Sequence, residues 1–268
     1  MPVSFLIRHW KKELQVFHVN LLLLQNSSSS EAIHDLRVSI KKLRSYTKLY
    51  SALFKNNQPA PRLADTKKLF SALGKQRNIE ICMQSLRPFQ TKPLLLPIHK
   101  HFEFYLKETT QRSASALQEY TPGGLRSMTI EIEKTVFGID DEVLKPHLLK
   151  LIRSCIDDVR RQLKDFNKHY HLARKNLKDI FYWCQILPAD FYFSKLELKT
   201  LKSILDDLGD LQDHEVLRTN LQHYRKTVLG KGDEEYADAK KIEEKISKNK
   251  QGLLDKAGGI IREILKSR

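Results

Sequence analysis

The stretch IHDLRVSIKKLRSYTKLY, residues 33–50, places two kinds of side chain at helical spacing. Apolar residues recur every three or four positions, which predicts an α-helix with one buried side. Cations recur at the same pitch on the neighbouring side, within roughly 80° of one another around the helix axis. The cationic side chains are His34, Arg37, Lys41, Arg44 and Lys48. The stretch therefore predicts a helix that packs with one face and presents a row of positive charge on another.

This basic row has two interpretations. Like charges three and four residues apart repel by about a few tenths of a kcal/mol per pair, and Asp35 is the only acid between residues 34 and 48. A solvated face is the commoner interpretation in a basic protein. A ligand with negative charge repeated along its length would also suit the row, because each side chain can reach a different unit. The stretch alone leaves both interpretations open.

A similar stretch, YHLARKNLKDIFYW at residues 170–183, occurs further along the chain. Its histidine lies 137 residues after His34 and is followed by cations at the same spacing. The aligned residues are His171, Arg174 and Lys178, with Lys175 at the edge of the row. A solvated helix face has no reason to recur with its histidine in register, so the repeat favours an anion that both rows contact.

The second basic row is shorter than the first. Phe181 stands at the position that corresponds to Arg44, and Asp179 stands at the position that corresponds to Lys42. Because both differences remove positive charge, we expect the first row to contribute more of the affinity for an anion.

A second pair of matching segments follows the two basic rows. LGKQRNIEI at 73–81 aligns with LGDLQDHEV at 208–216, 135 residues later, which agrees within two residues with the offset of the histidines. The segment TPGG at 121–124 breaks the chain between the two sets. This order predicts one domain of 268 residues, made of duplicated halves 1–125 and 126–268.

Helical periodicity fills almost every segment between turn residues, which predicts an all-α fold of antiparallel helical bundles. The two Leu-Gly pairs predict helix ends near residues 73 and 208. A short pair of strands is an alternative only for LRSMTIEIEKTVFGIDD at 125–141. The C-terminal KKIEEKISKNK at 240–250 mixes charge signs and predicts a solvated helix. The expected helices span residues 4–25, 30–55, 61–73, 76–87, 97–120, 141–166, 168–187, 194–208, 212–229 and 234–265.

Composition indicates the kind of partner. The chain has 47 Lys and Arg against 32 Asp and Glu, a formal net charge of +15, which favours a polyanion or an anionic surface. Its 268 residues and 41% hydrophobic content are enough for a core. A folded protein with a polyanionic partner follows.

Cysteine spacing and the N-terminal sequence predict a cytoplasmic protein. Cys82, Cys155 and Cys184 are widely spaced and form no CxxC pair, so we expect reduced and buried thiols. Charged residues interrupt the apolar N-terminal segment, and LLLL at 21–24 is far too short to cross a bilayer. No membrane segment is expected.

Motifs of the common enzyme classes are absent from the sequence. No P-loop, glycine-rich nucleotide turn, nucleophile elbow or HExxH stretch occurs. Adjacent acids such as Asp206 and Asp207 point about 100° apart on a helix, so they do not converge on a metal ion. Nucleic-acid binding fits the charge, but Tyr46, Tyr50, Tyr182 and Trp183 fall mostly at core-like positions, and no helix-turn-helix or RNA-reading motif occurs. We therefore expect a binding protein with no cofactor and no catalytic residues.

The stretches HDLRVSIKKLRSYTKLY and HLARKNLKDIFYW, together with the two Leu-Gly segments, resemble the CHAD domain, the conserved-histidine α-helical domain. In that family each half has a His-x-x-Arg helix, and each Leu-Gly segment leads into Arg-Asp or Asn-Asp. Asn78 departs from this pattern, because the first-half motif usually has Asp there. The resemblance implies two helical bundles related by a pseudo-two-fold axis, with the basic helices lining a central cavity. It also implies non-catalytic binding of inorganic polyphosphate, in the cytoplasm or on polyphosphate granules.

The resemblance also implies where polyphosphate would bind. Both basic rows would contact it, with their arginines presenting paired N–H donors and their lysines acting as point charges. The two histidines would gain protons beside bound phosphate, so that affinity increases on mild acidification. Basic residues that would extend the site are Lys12, Arg77, Lys199 and Lys202. Nucleic-acid binding and, further removed, metal-dependent polyphosphate processing are the alternatives, and the oligomeric state stays open.

Overall fold

The fold is described by a computed structural model that covers residues 4–27, 29–55, 63–87, 96–187, 192–230 and 232–266. All regular secondary structure in these ranges is helical, which confirms the predicted all-α fold. A single 3-10 turn, Leu163–Asp165, separates the sixth and seventh α-helices. The α-helices are α1 (Phe5–Asn26), α2 (Ser30–Leu53), α3 (Ala64–Leu86), α4 (Leu96–Gln118), α5 (Gly123–Val136), α6 (Asp141–Gln162), α7 (Phe166–Cys184), α8 (Lys195–Thr227) and α9 (Glu234–Lys266).

Helix α2 forms as its sequence predicts. Ser29 caps it, because the Ser29 hydroxyl accepts a hydrogen bond from the Ala32 amide that no backbone carbonyl could satisfy. The apolar side is buried along its length, and the adjoining basic row lies on the partly exposed and exposed side. The buried side chains of that apolar side are Ile33, Leu36, Ile40, Leu43, Thr47 and Tyr50. Both predicted faces of α2 are confirmed.

Helices that are neighbours in sequence pack as pairs. In the first half α1 packs on α2 and α3 packs on α4, and in the second half α6 packs on α7 and α8 packs on α9. The halves meet where α2 packs on α7 and α3 packs on α8. A duplicated four-helix unit that contacts its own copy would make these pairings, although the two-fold relation itself remains a prediction.

One large hydrophobic cluster runs through both halves. It includes Trp10 and Phe17 from α1, Leu36 from α2, Ile152 from α6 and Leu177 from α7, each less than 2% exposed. A second, smaller cluster is formed by residues of α3, α4, α8 and α9, among them Cys82, Phe102, Leu221 and Tyr224. The continuous core holds α2 and α7 in fixed positions beside each other.

The strand pair that 125–141 offered as an alternative is wrong. Most of this segment is helix α5, which buries Leu125, Met128, Ile132 and Val136. The alternation in TIEIE resembles a strand over five residues, but the apolar positions recur every three or four residues, which is the helical period. The helix ends before Gly138, whose φ of 77° lies in the left-handed region.

The helix ends predicted near residues 73 and 208 are also wrong. Helix α3 continues through Gly74, and helix α8 continues through Gly209. A glycine inside a helix costs about 1 kcal/mol relative to alanine. Another requirement must therefore explain the glycine at position 74, and the site between the halves supplies it.

The three cysteines and the hydropathy of the helices agree with the sequence. Cys82, Cys155 and Cys184 are buried, as predicted, and none of them is joined to another by a disulfide bond. Within the described ranges, none of the helices has an apolar run of the length and hydropathy needed to cross a membrane. The stretch NNQPAP at 56–61, whose turn-forming residues predict the end of the second helix, lies outside the described residues.

Candidate anion-binding site

The packing of α2 on α7 and of α3 on α8 brings cations of both halves together. Arg37 and Lys41 come from α2, Arg77 comes from α3, and Arg174 and Lys178 come from α7. We call these five residues the central cations. Each is partly buried, and Lys41 lies within electrostatic range of both α7 cations. Members of both predicted rows therefore lie near one another where the halves meet.

Arg37 is fixed by α3. Its Nη1 donates a hydrogen bond of 2.8 Å to the carbonyl oxygen of Phe70, and its guanidinium lies 4.4 Å from the centre of the Phe70 ring. A Cβ atom at Gly74 would lie 2.5 Å from Arg37 Nη1, closer than any contact allows. Glycine at position 74 therefore makes room for the guanidinium, which explains the glycine inside α3.

Arg174 has a related arrangement against α8. A Cβ atom at Gly209 would lie 3.4 Å from Arg174 Nη2, so this contact is looser than the one at Gly74. The Nε of Arg174 and the hydroxyl of Tyr170 are buried without a hydrogen-bond partner in the protein. A buried charged donor without an acceptor is costly, so Arg174 retains capacity to bind an anion.

Lys41 and Lys178 occupy corresponding positions of the two repeats, and they lie within electrostatic range of each other where α2 packs on α7. Burial, together with the positive charge of Lys178, lowers the pKa of Lys41 to about 7. Burial and the charge of Arg174 lower the pKa of Lys178 to about 8. An ammonium group with a depressed pKa lacks sufficient negative charge around it. The centre of the site therefore favours an added anion.

Burial also affects the central arginines. Burial and the neighbouring charge of Arg77 lower the pKa of Arg37 to about 10, which leaves its guanidinium protonated at neutral pH. Burial lowers the pKa of Arg174 as well, while the charge of Asp213 opposes that change. Both guanidinium groups thus remain charged donors in a partly desolvated site, where each contact with an anion is strengthened.

The two histidines lie at the outer ends of the site. Partial burial and the charge of Arg77 lower the pKa of His34. Partial burial and the charge of Arg174 lower the pKa of His171, and its ring stacks on Tyr170 at 4.1 Å between centroids. Both imidazoles are therefore largely neutral near pH 7 in the free protein.

One acid, Asp213 of α8, lies among the central cations. Its charge acts on Lys41, Arg174 and Lys178, and Arg77 acts on it in turn. Burial raises the pKa of Asp213 although these cations oppose the rise. The corresponding residue of the first half is Asn78, so the negative charge enters the site from the second half.

Not every predicted cation joins the centre. Arg44 lies 5.2 Å from the Phe70 ring centre at the edge of the site, whereas Lys48 forms an ion pair of 2.7 Å with Asp179 of α7. Ser45 also donates to that carboxylate, at 2.5 Å. Lys48 therefore joins α2 to α7, and this ion pair neutralises Asp179, one of the two residues that were expected to weaken the second row.

The remaining predicted cations lie on exposed surface. Lys202 forms a hydrogen bond of 2.5 Å with Asp206 one helical turn further along α8, and its charge still reaches Lys178. Lys175 is exposed beside His171 and acts on its pKa. Lys12 of α1 and Lys199 of α8 are exposed, and no contact links either of them to the central cations.

Two cations of the second half were not predicted from the sequence. Lys250 of α9 lies 3.4 Å from Glu215 and 5.0 Å from the Tyr170 ring centre. Arg218 of α8 donates to the same carboxylate at 3.0 Å. The prediction that 240–250 is only a solvated helix is therefore wrong at its last residue. The sequence signal that could have indicated these cations was Glu215, because this acid lies in the Leu-Gly segment and no partner was predicted for it.

The first half has a corresponding network around Glu80. Arg77 Nη1 donates to the Ser30 hydroxyl at 2.7 Å, and that hydroxyl donates to Glu80 at 2.6 Å. Gln76 also donates to Glu80, at 3.0 Å. These contacts hold Arg77 in place, within electrostatic range of His34. Within the part of the chain described here, no group of three or more His, Cys, Asp or Glu is arranged to hold a metal ion.

The fold and the geometry of the site together define a class of protein, which is all-helical and has a basic site between two packed halves. The family model of the CHAD domain matches residues 8–222, and the chain belongs to the CHAD domain family. It is similar to the crystal structure of the CHAD domain from the plant Ricinus communis, with 17% identity and a TM-score of 0.75. That likeness covers 100% of this chain and 95% of the plant chain, and it shows the shared fold. No curated protein sequence matches the chain.

Proposed function

We propose that the protein binds inorganic polyphosphate, without chemical change, at the central cations. The observation that carries this proposal is the partial burial of Lys41 and Lys178 within electrostatic range of each other, which lowers their pKa values to about 7 and about 8. Burying like charges together is unfavourable in the free protein. A ligand with closely spaced negative charges would relieve that repulsion, so the site is suited to a compact polyanion.

The cations form a connected series across both halves. The pKa of His34 is affected by the charges of Arg77, Arg37 and Lys41. The pKa of Lys41 is affected in turn by Lys178 and Arg174. The charge of Arg174 also affects the pKa of His171. Lys250 extends the series at the second end. Polyphosphate carries about one negative charge per unit, so successive units would meet successive cations and release condensed counterions.

Arginine and lysine would have different roles along the series. Arg37 and Arg174 are held against neighbouring helices, so their guanidinium forks are already oriented for paired hydrogen bonds to phosphate oxygens. Lys41 and Lys178 would supply charge at the centre, and a bound anion would raise the pKa of each amine. A polyphosphate binder of this kind would lie in the cytoplasm, including at polyphosphate granules.

Nucleic-acid binding is the second candidate. Base stacking requires exposed aromatic faces beside the basic groove, whereas Tyr46, Tyr50 and Trp183 near the α2–α7 contact are at most 3% exposed. The proposal therefore favours a polyanion without bases. Metal-dependent processing of polyphosphate has no observation in its favour.

Direct titration tests the proposed function. Purified protein would be titrated with polyphosphate, single-stranded RNA and duplex DNA at two salt concentrations, and tighter binding of polyphosphate per charge is expected. Lys41→Met with Lys178→Met should weaken that binding by about tenfold or more and flatten its salt dependence. The matched control is Lys107→Met with Lys226→Met, two exposed lysines outside the site. Equal binding of RNA, or equal losses in both double variants, would contradict the proposal.

A further inference from the structure

A cavity lies between the four helices α1, α2, α3 and α4 of the first half. Its volume is about 340 Å³, which is within the size range of sites for small molecules. Leu24, Ile33, Leu73 and Leu117 supply apolar surface, and glutamine, serine and threonine side chains supply polar groups. Among the described residues that line the cavity, none is charged. The cavity is therefore a neutral space, separate from the central cations.

The second half has larger or more apolar side chains at the matching positions. Tyr170 is 3% exposed, and its ring reaches α9, where the Lys250 amine lies 5.0 Å from the ring centre. Its counterpart in the first half is Ile33, which has no ring. Leu211, buried in the main cluster, has Gln76 as its counterpart. Because the first half has a smaller side chain and an amide at these positions, space and polarity remain where its copy is packed.

Ser113 of α4 is a buried hydrogen-bond donor in the wall of the cavity. It is 5% exposed, and its hydroxyl has no hydrogen-bond partner among the described residues. Two other hydroxyls of α4 donate to backbone carbonyls one turn earlier, Thr109 to Tyr105 at 2.7 Å and Ser115 to Gln111 at 3.2 Å. A buried donor without an acceptor is unfavourable, so Ser113 offers a hydrogen bond to an acceptor on a bound molecule.

We propose that this cavity binds a small uncharged molecule that has an apolar body and an amide or carbonyl group, whose oxygen accepts a hydrogen bond from Ser113. The leucine and isoleucine side chains would contact the apolar body. Gln76, held by its hydrogen bond of 3.0 Å to Glu80, would face the polar end. A charged molecule would lose its hydration without gaining a counter-charge, so it should bind more weakly. The inference goes beyond the proposed function and does not depend on it.

Two probes of equal chain length test the proposed ligand class. Protein with isotope-labelled methyl groups would be titrated with hexanamide and, separately, with hexanoate, which carries a negative charge. Hexanamide should cause saturable shifts of the methyl resonances of Leu24, Ile33, Leu73 and Leu117, whereas the methyl groups of Leu177 in α7 should not respond. Hexanoate should bind in the cavity at least about tenfold more weakly. Equal binding of the two probes, or no saturable shift with hexanamide, would overturn the inference.

Variants of α4 test the place of binding. Ser113→Ala removes the donor and should weaken hexanamide binding about fivefold. Ala114→Phe adds a ring at an exposed position of the cavity wall and should abolish the saturable shifts. Ser115→Phe is the matched control, because this exposed position points about 100° away from Ala114, and it should bind as wild type does.

Hexanamide binding by Ala114→Phe with wild-type affinity would overturn the inference. Polyphosphate affinity should be unchanged in Ala114→Phe, because none of the central cations lines the cavity. Titration of the same variants with polyphosphate therefore separates the two proposals. Loss of hexanamide binding contradicts only the cavity, and failure of the wild-type protein to bind polyphosphate contradicts only the proposed function.

Discussion

Lys41 shows how one residue links burial to ligand binding. Its amine is partly buried beside Lys178, and that position lowers its pKa to about 7. In water the same amine would be charged across the physiological range. A polyanion bound at the proposed site would therefore change the protonation of this amine.

Binding of polyphosphate should take up protons. A bound polyanion raises the pKa of Lys41 and Lys178 from about 7 and about 8 toward the usual lysine value. In the pH range between those values, the free amines are partly neutral and the bound amines are charged, so affinity should fall as pH rises through it. Calorimetric titration in buffers of different ionisation enthalpy measures the uptake.

The double variant Lys41→Met with Lys178→Met is the control for this proton uptake. Its remaining uptake should come from His34 and His171, whose pKa values are lowered in the free protein and would rise beside phosphate. That part should appear at lower pH than the lysine part. Proton uptake that is the same in wild type and in the double variant would assign the effect to the histidines alone.

The residues of the site were predictable where helical spacing alone decides their position. The spacing of Arg37 and Lys41, repeated at Arg174 and Lys178, predicted which side chains point to one side of each helix. It could not predict that Lys48 pairs with Asp179, because that contact depends on how the two halves pack. Lys250 was missed for the same reason, since α9 is far away in sequence.

At the scale of helices, the glycine in the Leu-Gly segment of α3 is a local feature of the sequence, but its cause is a contact with another helix. Glycine usually marks a helix end, and the predicted ends followed from that rule. In α3 the glycine lies inside the helix because the guanidinium of Arg37, from α2, occupies the place of a side chain. Spacing alone does not reveal such a contact.

Gly74→Ala should separate helix stability from binding. Alanine favours the helix by about 1 kcal/mol, but its Cβ would lie 2.5 Å from Arg37 Nη1. The guanidinium must move off its hydrogen bond to Phe70, and polyphosphate affinity should fall by about tenfold, the scale of one charge-assisted contact. Titration with polyphosphate and thermal unfolding are the two measurements.

Gly259→Ala is the matched control in α9. Nothing lies within 4 Å of a Cβ atom at this position, so the change should raise the midpoint of thermal unfolding and leave affinity unchanged. Gly209→Ala, with its contact at 3.4 Å, should fall between the two. Equal polyphosphate affinities of Gly74→Ala and Gly259→Ala would show that the position of Arg37 against Gly74 has no part in binding.

For the molecule as a whole, the last helix is part of the core. The family model matches residues 8–222, yet α9 follows that region and buries Leu254, Ala257, Ile261 and Leu265 in the main cluster. The length and basic charge of the chain predicted a folded polyanion-binding protein. They did not show that the second half needs α9 to cover α7 and α8.

A chain that ends at residue 222 should not fold stably. Loss of α9 would expose the apolar surfaces of α7 and α8 that it covers, and burial of a single Leu or Ile side chain is worth about 1.5–3 kcal/mol. Three such side chains, Leu254, Ile261 and Leu265, together approach the whole stability of a typical domain. A chain that ends at Lys266 is the control and should unfold cooperatively. A cooperative transition in the shorter chain would contradict the expectation.

The close contact between the Arg37 guanidinium and Gly74 has an evolutionary consequence. Helix propensity alone selects against glycine in the middle of α3, so drift would replace it as soon as nothing required it. The arginine at position 37 supplies that requirement, and the two positions should therefore change together among related chains. Descendants that lose the arginine should soon acquire alanine or serine in place of the glycine, whereas chains that keep the arginine should retain the glycine even where the rest of α3 has diverged.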